Sequence, residues 1–492
     1  MDPILFWNSV ALEANKLSHT VDVDAETSLQ KGPPRSARAL GLVHLAMYQA
    51  RAASIPTFPY QPFPLVTLPP APAGVDSDSV IAGAAARALG RLFPSLNQMI
   101  TAKATESGAS HTDSLHYGAV IADGILNARA SDPTAESNGY HPGTHRGAHA
   151  VDPDNPEQGF HAPFYGARAT TIACKDTITI DAPPFLAAAG RSHDPAYLTA
   201  LNEVRRKGIA PELAGTLEVG PGGLRTPEET LIGIYWGYDG SKDLGTPPRL
   251  YNQIVRAVSA KHRLSVDDNA RLFAMVNLAM MDAGVLAWRV KYRDDLWRPV
   301  VGIREHDSSM GANKGPAGSP GFEKDCDPDW LPLGAPKSNS ITQVNVGTYP
   351  NATSVTQYQK NFTPNFPAYP SGHATFGAAA LHAARLCLGA PVGDRTKDSY
   401  FSGLEFVSEE YNGKTKSNNG TVRPIHRRSF QDGLWEMIIE NGRSRVFLGV
   451  HWSFDSFATN ARGEPDLSRN LGGVPLGLAI ADDIAKTHFK KK

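Results

Sequence analysis

Cysteine is nearly missing from this chain, with 3 in 492 residues. Cys174, Cys326 and Cys387 are too few and too scattered for a disulfide framework or a metal knuckle, and they read as buried free thiols. Net charge is nearly missing as well: 48 Lys and Arg against 49 Asp and Glu leave a formal −1. That balance points away from nucleic acid or an anionic membrane as a bulk partner. No uninterrupted apolar run reaches the roughly 18 to 20 residues that span a bilayer. No basic segment precedes an apolar one near the start, where Asp2 and Glu13 intervene, so no signal peptide is read there. The expectation is a soluble protein, cytoplasmic or exported by a leaderless route. Strand signals are few and short, and no internal repeat is found.

What is present is helical spacing. Apolar residues recur three and four apart in residues 36–54, 78–93, 113–130, 227–236, 250–259, 266–293, 373–388 and 476–487. Ser265 opens the longest of these, with Asp267 and Asp268 in its first turn, which is a good start signal. The predicted fold class is therefore mainly α. The connections are long and rich in Pro and Gly: 56–74, 131–160 and, above all, 302–370. Loops beyond about 15 residues inside a domain are usually functional or disordered. The last one is expected to form the wall and mouth of an active-site channel, and the polar stretch 412–421 an exposed excursion.

Three fragments concentrate the chemistry: Lys291 to Pro299 (KYRDDLWRP), Pro370 to His373 (PSGH) and Ser444 to Asp455 (SRVFLGVHWSFD). They supply what is needed to hold a tetrahedral oxyanion and work at its axial position. Arg298 and Arg445 each present a planar fork of N–H donors, Lys291 a mobile point charge, and the Ser371 hydroxyl and Gly372 amide the remaining directions. If the helix carrying Lys291 runs on to Arg298, seven residues at about 100° each bring both cations to one face, with Pro299 ending it. Ser371, Gly372 and His373 open the next helix, whose free N–H groups and positive dipole end would face an anion. His451 lies one turn before Asp455, near enough for a bond that fixes its tautomer and leaves the other nitrogen for a metal or phosphorus centre.

Singly, each residue has a plain reading: Lys291 in a solvated charged face, His373 as a helix-start histidine, Trp288 and Phe366 as core aromatics. Their joint order is what argues for a site. A competing cluster, His141, His145 and His149, could chelate a divalent ion on a helix. Pro142 and Gly143 sit inside it and argue against that helix, so a solvent-exposed loop is expected there.

In this order, K-x6-R-P, P-S-G-H and S-R-x5-H-x3-D resemble the signature shared by vanadium-dependent haloperoxidases and the type-2 phosphatidic acid phosphatase superfamily. Further stretches, among them FWNSVALEANKLSHT from Phe6, HAPFYG from His161, YDGSKDLGTPPRLYNQIVR from Tyr238 and FTPNFPAYPSGHATFG from Phe362, resemble the fungal-type vanadium chloroperoxidases. The likeness covers nearly the whole chain.

The resemblance implies two four-helix bundles packed together, residues 1–210 and 211–492, with the site in the second. It implies vanadate as cofactor, rather than haem or flavin, with His451 the one protein ligand and Lys291, Arg298, Ser371, Gly372 and Arg445 neutralising the oxo groups. Peroxide would replace the apical oxygen, Lys291 would polarise it, and halide would attack it. His373 would be the acid/base group, its pKa lowered by three nearby cations. Asp239 is nominated as counter-charge to Arg445, and Trp288 and Phe366 as channel lining. The implied reaction is oxidation of chloride or bromide by hydrogen peroxide to hypohalous acid, with a small organic molecule as a candidate acceptor. A soluble acid phosphatase with His451 as nucleophile is the first alternative, opposed by the aromatic lining; a non-catalytic oxyanion binder is the second, opposed by His373. Asn365 and Val301 depart from the residues usual in the family. In its bromoperoxidase branch a histidine commonly stands where this chain has Phe366.

Overall fold

The computed structural model describes residues 1–20, 30–185, 194–217, 220, 222–304, 327, 329–346, 353–397 and 399–492. Cys326 and the middle of the 302–370 connection lie outside the described residues, so the expected wall and mouth are described only at their ends. Cys174 and Cys387 are free and buried. The first half carries α1 (Pro3–Leu17), α2 (Pro33–Ser54), α3 (Ser77–Leu92), α4 (Asn97–Glu106) and α5 (Thr112–Ala128). Then follow α6 (Tyr165–Arg168), α7 (Pro195–Lys207), α8 (Pro227–Tyr235), α9 (Pro247–His262), α10 (Val266–Asp294), α11 (Pro299–Arg304), α12 (Gly372–Cys387), α13 (Gly433–Phe447) and α14 (Gly473–Thr487). Among the described residues, β structure is confined to short antiparallel pairs such as Leu404–Val407 with Arg427–Phe430. The chain is mainly α, as its spacing predicts.

The sequence of α10 explains its central place. Ser265 caps it by accepting from the Asp268 amide at 3.1 Å, and Asp267 and Asp268 complement the dipole in its first turn. Its best 18-residue window has a mean hydropathy of 1.4, long and apolar enough to cross a membrane by composition, yet 94% of that window is buried inside the fold. This helix packs on α2 of the first half and on α12 and α14 of the second. Buried apolar side chains from Ile4 to Phe489 join into one core around it. Helix α7, which a division at residue 210 assigns to the first half, packs against α11 and α13.

Helix α12 is buried along its whole length. It accepts α14 at very short range because Gly477 has no side chain: a Cβ there would lie 2.4 Å from the Thr375 carbonyl oxygen.

Helix α10 agrees with the spacing over 266–293, but the condition that it continue to Arg298 is not met. Helix α10 does not run through to Arg298; it ends at Asp294, where Asp295 turns left-handed at φ 45 and its amide caps the Lys291 carbonyl at 2.9 Å. Leu296 then bridges to Ala148 as extended chain, and Pro299 begins α11 instead of ending α10. Arg298 therefore reaches the site from a connection, not from the face that carries Lys291.

Candidate active site

The Pro-Ser-Gly-His fragment folds as its residues require. Ser371 is the N-cap of α12, its Oγ accepting from the Ala374 amide at 3.3 Å, so the hydroxyl proton is left for a ligand. Gly372 is the first helical residue, and a Cβ there would meet the Trp288 and Phe376 rings at an ordinary 3.6 and 3.8 Å. His373 stands next, buried; its Nε2 bonds the Gly237 carbonyl at 2.7 Å. A carbonyl only accepts, so Nε2 carries the proton and Nδ1 the lone pair. Tyr251 and Asn441 donate to the His373 carbonyl at 2.9 and 2.8 Å and fix its backbone. Burial first, then Arg445, lowers the His373 pKa to about 4, against the opposing pull of Asp239. Arg445 acts here where the sequence suggested three cations.

His451 follows the end of α13. Its Nδ1 meets Asp455 Oδ2 at 2.7 Å, and its Nε2 meets Arg298 Nη1 at 2.9 Å. The guanidinium can only donate, so Nε2 must accept; Nδ1 then bears the proton and donates it to Asp455 Oδ2. The Trp452 amide donates to the same Asp455 oxygen at 3.1 Å. Burial pushes Asp455 up to about 7 and His451 well below its usual value, with Arg298 and Lys291 the largest charges acting on both.

The two arginines differ in how they are held. Arg298 donates from Nε to the Phe366 carbonyl at 2.8 Å and from Nη1 to the Val450 carbonyl at 2.7 Å, while its Nη2 has no partner. Burial lowers its pKa to about 9. Arg445 donates from Nη2 to Asp239 Oδ1 at 2.8 Å, placing the nominated counter-charge against it, and its Nε and Nη1 have no partner. Lys291 is not the mobile charge expected. Its three protons go to the carbonyls of Pro367, Ala368 and Pro370. Burial and then Arg298 press its pKa well down, but three acceptor-only oxygens are satisfied only by the ammonium form.

Phe366 and Trp288 close one side. Their centroids are 4.8 Å apart, Lys291 Nζ lies 5.1 Å and Arg298 Cζ 5.0 Å from the Phe366 centroid, and Trp288 Nε1 is buried without a partner.

The site thus gathers three buried cations, Lys291, Arg298 and Arg445, against two buried carboxylates, Asp239 and Asp455. An uncompensated buried charge costs several kcal/mol. With three unspent guanidinium N–H nitrogens, the Ser371 hydroxyl and the His451 Nε2 lone pair, which here accepts from Arg298 Nη1 and would turn to a bound centre, the arrangement suits a compact oxyanion, and vanadate fits that donor set.

A vanadium chloroperoxidase from Curvularia inaequalis is 32% identical over 99% of this chain and 90% of its own length. The chain belongs to the vanadium chloroperoxidase family. Residues 1–158 match the vanadium chloroperoxidase N-terminal domain and residues 271–465 the second helical-bundle domain of the same family. Solved relatives share the fold: a bacterial vanadium-dependent iodoperoxidase with TM-score 0.65 and 17% identity, covering 98% of this chain and 96% of its own. A bacterial vanadium-dependent chloroperoxidase in its holo form gives TM-score 0.58 at 16% identity, covering 94% of each chain.

Of the residues named from the sequence, Lys291, Arg298, Ser371, Gly372, His373, Arg445, His451, Asp239, Asp455, Trp288 and Phe366 are connected by the contacts above. The competing histidine cluster is not assembled: residues 141–149 form no helix, and no group of three metal-ligating side chains occurs among the described residues. His141 and His145 are exposed, but His149 is 2% exposed, which corrects the expected exposed loop. The carbonyls of Gly237, Phe366, Pro367, Ala368, Pro370 and Val450 were missed, because a main-chain acceptor leaves no mark in residue type. His149 was missed for want of any local signal of its burial.

Proposed function

We propose that this protein is a vanadate-dependent haloperoxidase that oxidises chloride or bromide with hydrogen peroxide to hypohalous acid. The observation that carries the reading is the buried cationic cradle, in which Arg298 and Arg445 keep unspent N–H donors beside the His451 Nε2 lone pair. Family membership supports the cofactor and the reaction class.

In this reading His451, aligned by Asp455, is the single protein ligand to vanadate, and Arg298, Arg445, Lys291, Ser371 and Gly372 balance its charge. Bound vanadate supplies Lewis-acid activation of hydrogen peroxide toward halide, at a metal that keeps its oxidation state. His373 is neutral through the mildly acidic range, so its Nδ1 lone pair is ready to take the peroxide proton. Asp239 holds Arg445 in place and keeps a negative charge 3.9 Å from His373 Nε2, which favours the imidazolium formed when that proton arrives. Lys291 works as a fixed charge that also pins residues 367–370 against α10. Phe366 and Trp288 keep water from the halide's approach. A small organic acceptor for the hypohalous acid completes the reading.

Adding orthovanadate to vanadium-free protein should switch on chlorination and bromination, and excess phosphate should reverse it by competing for the cradle. Peroxidase turnover indifferent to vanadate overturns the reading, and phosphoester hydrolysis blocked by vanadate would replace it with a phosphatase.

A further inference from the structure

His149 is left over by the chemistry above, yet it sits against the chain that delivers it. Residues 147–149 run antiparallel to 295–297: the His149 amide donates to the Asp295 carbonyl and the Trp297 amide to the Gly147 carbonyl, both at 2.8 Å, with Ala148 bridging Leu296. The Leu296 carbonyl in turn accepts from Ala368, at 2.8 Å, on the segment that Lys291 pins. His149 therefore lies beside the link between Lys291 and Arg298. Its ring meets Phe160 edge-on at 5.6 Å, is 2% exposed, and neither Nδ1 nor Nε2 has a partner.

A ring kept only for packing would not carry this arrangement. The large majority of buried side-chain polar atoms are paired, and each unmet one carries a desolvation cost that a phenyl ring of similar size would avoid. Burial, then Arg298, then Lys291, holds the imidazole well below its usual pKa, so it stays neutral. A neutral imidazole offers one N–H and one lone pair, both unspent here. A halide can use only the N–H and is repelled by the lone pair. Hydrogen peroxide is uncharged, small, and both donates and accepts.

We propose that His149 is a further substrate-binding residue, hydrogen-bonding hydrogen peroxide through a ring nitrogen beside the 295–297 segment that joins Lys291 to Arg298. The inference rests on the haloperoxidase reading. The test compares wild type, His149→Phe and His149→Gln, each loaded with orthovanadate. Peroxide affinity is taken from an absorption titration in the absence of halide, and orthovanadate affinity from equilibrium dialysis. Loss of one neutral hydrogen bond predicts a peroxide Kd and KM about three- to tenfold higher in His149→Phe. Halide KM and orthovanadate Kd should stay within about twofold, and His149→Gln, which keeps a donor and an acceptor, should recover most of the loss. Wild-type peroxide affinity in His149→Phe overturns the role and leaves the haloperoxidase reading standing. Equal weakening of orthovanadate also overturns it, placing His149 in the anion cradle. Wild-type protein that binds orthovanadate but no peroxide overturns both.

Discussion

Asp455 Oδ2 lies 2.7 Å from His451 Nδ1, and that contact decides which ring nitrogen faces Arg298. Because the guanidinium only donates, the ring is consistent with one tautomer: a proton on Nδ1, donated to Asp455 Oδ2, and a lone pair on Nε2. Asp455 thus holds the tautomer that leaves Nε2 as the nitrogen proposed to bind vanadate, and its charge would make that nitrogen more basic.

Replacing Asp455 by Asn keeps the shape and removes the charge. Partners that orient a metal-bound histidine typically contribute about 10- to 100-fold in affinity. Asp455→Asn should bind orthovanadate weaker by roughly that factor, read by equilibrium dialysis with elemental analysis for vanadium. Unchanged affinity would mean that Arg298 alone orients the ring.

The two histidines should separate cleanly. His451→Ala removes the lone pair proposed as the protein's bond to vanadium and should abolish tight vanadate retention, leaving electrostatic binding alone. His373→Ala should keep vanadium, somewhat more weakly, and lose most peroxide activation, since general acid–base catalysis is commonly worth about 10²- to 10⁴-fold. Equal vanadium content in the two variants would reverse these roles.

Acid should switch the reaction off by protonating His373. The neutral ring is the form that accepts a proton, and burial has moved its pKa from 6.5 to about 4. Activity limited by peroxide deprotonation should therefore persist below pH 6.5 and fall as pH drops through the lowered pKa, which a bound anion raises. The check is kcat/KM for peroxide between pH 7 and pH 4. An acidic limb centred at or above 6.5 would place the essential base elsewhere.

What could be read from sequence depended on how locally each feature is determined. The helix carrying His373 was expected at residues 373–388 and is found at Gly372–Cys387, since Ser371 and the apolar spacing act within a few turns. The placing of Asp239 against Arg445 came from family likeness; 206 positions separate the pair, and no local rule spans that interval. The spacing over 266–293 matches α10 at Val266–Asp294, whereas the conditional continuation to Arg298 fails because Asp295 turns left-handed where nothing in Asp-Asp-Leu-Trp demands it; the bridge from Leu296 to Ala148 accompanies that turn. The burial of His149 comes from the same long-range pairing. Helices α1, α4, α6, α7, α11 and α13 lie outside the ranges that the spacing predicts, and in α13 buried Asn441, Ser444 and Arg445 break the apolar face.

Phe366 offers the sharpest test of halide choice. Its ring centroid lies 5.1 Å from Lys291 Nζ and 5.0 Å from the Arg298 guanidinium carbon, with Trp288 packed at 4.8 Å. Two cations against an aromatic face are stabilised by its quadrupole, and the same face gives the halide a dry wall. Phe366→His replaces that face with a polar ring whose lone pair would hydrogen-bond one of the cations and bring water with it. A better hydrated halide beside a cation already engaged is harder to oxidise, and chloride suffers first because bromide is the easier ion to oxidise. Wild type should chlorinate measurably at mildly acidic pH, and Phe366→His should lose chloride turnover by a larger factor than bromide turnover. The measurement is the ratio of the two rates in both proteins. A wild type active on bromide but inert on chloride would remove chloride as a substrate and leave halide oxidation standing, whereas equal losses on both ions would mean that Phe366 supports the cradle without selecting the halide.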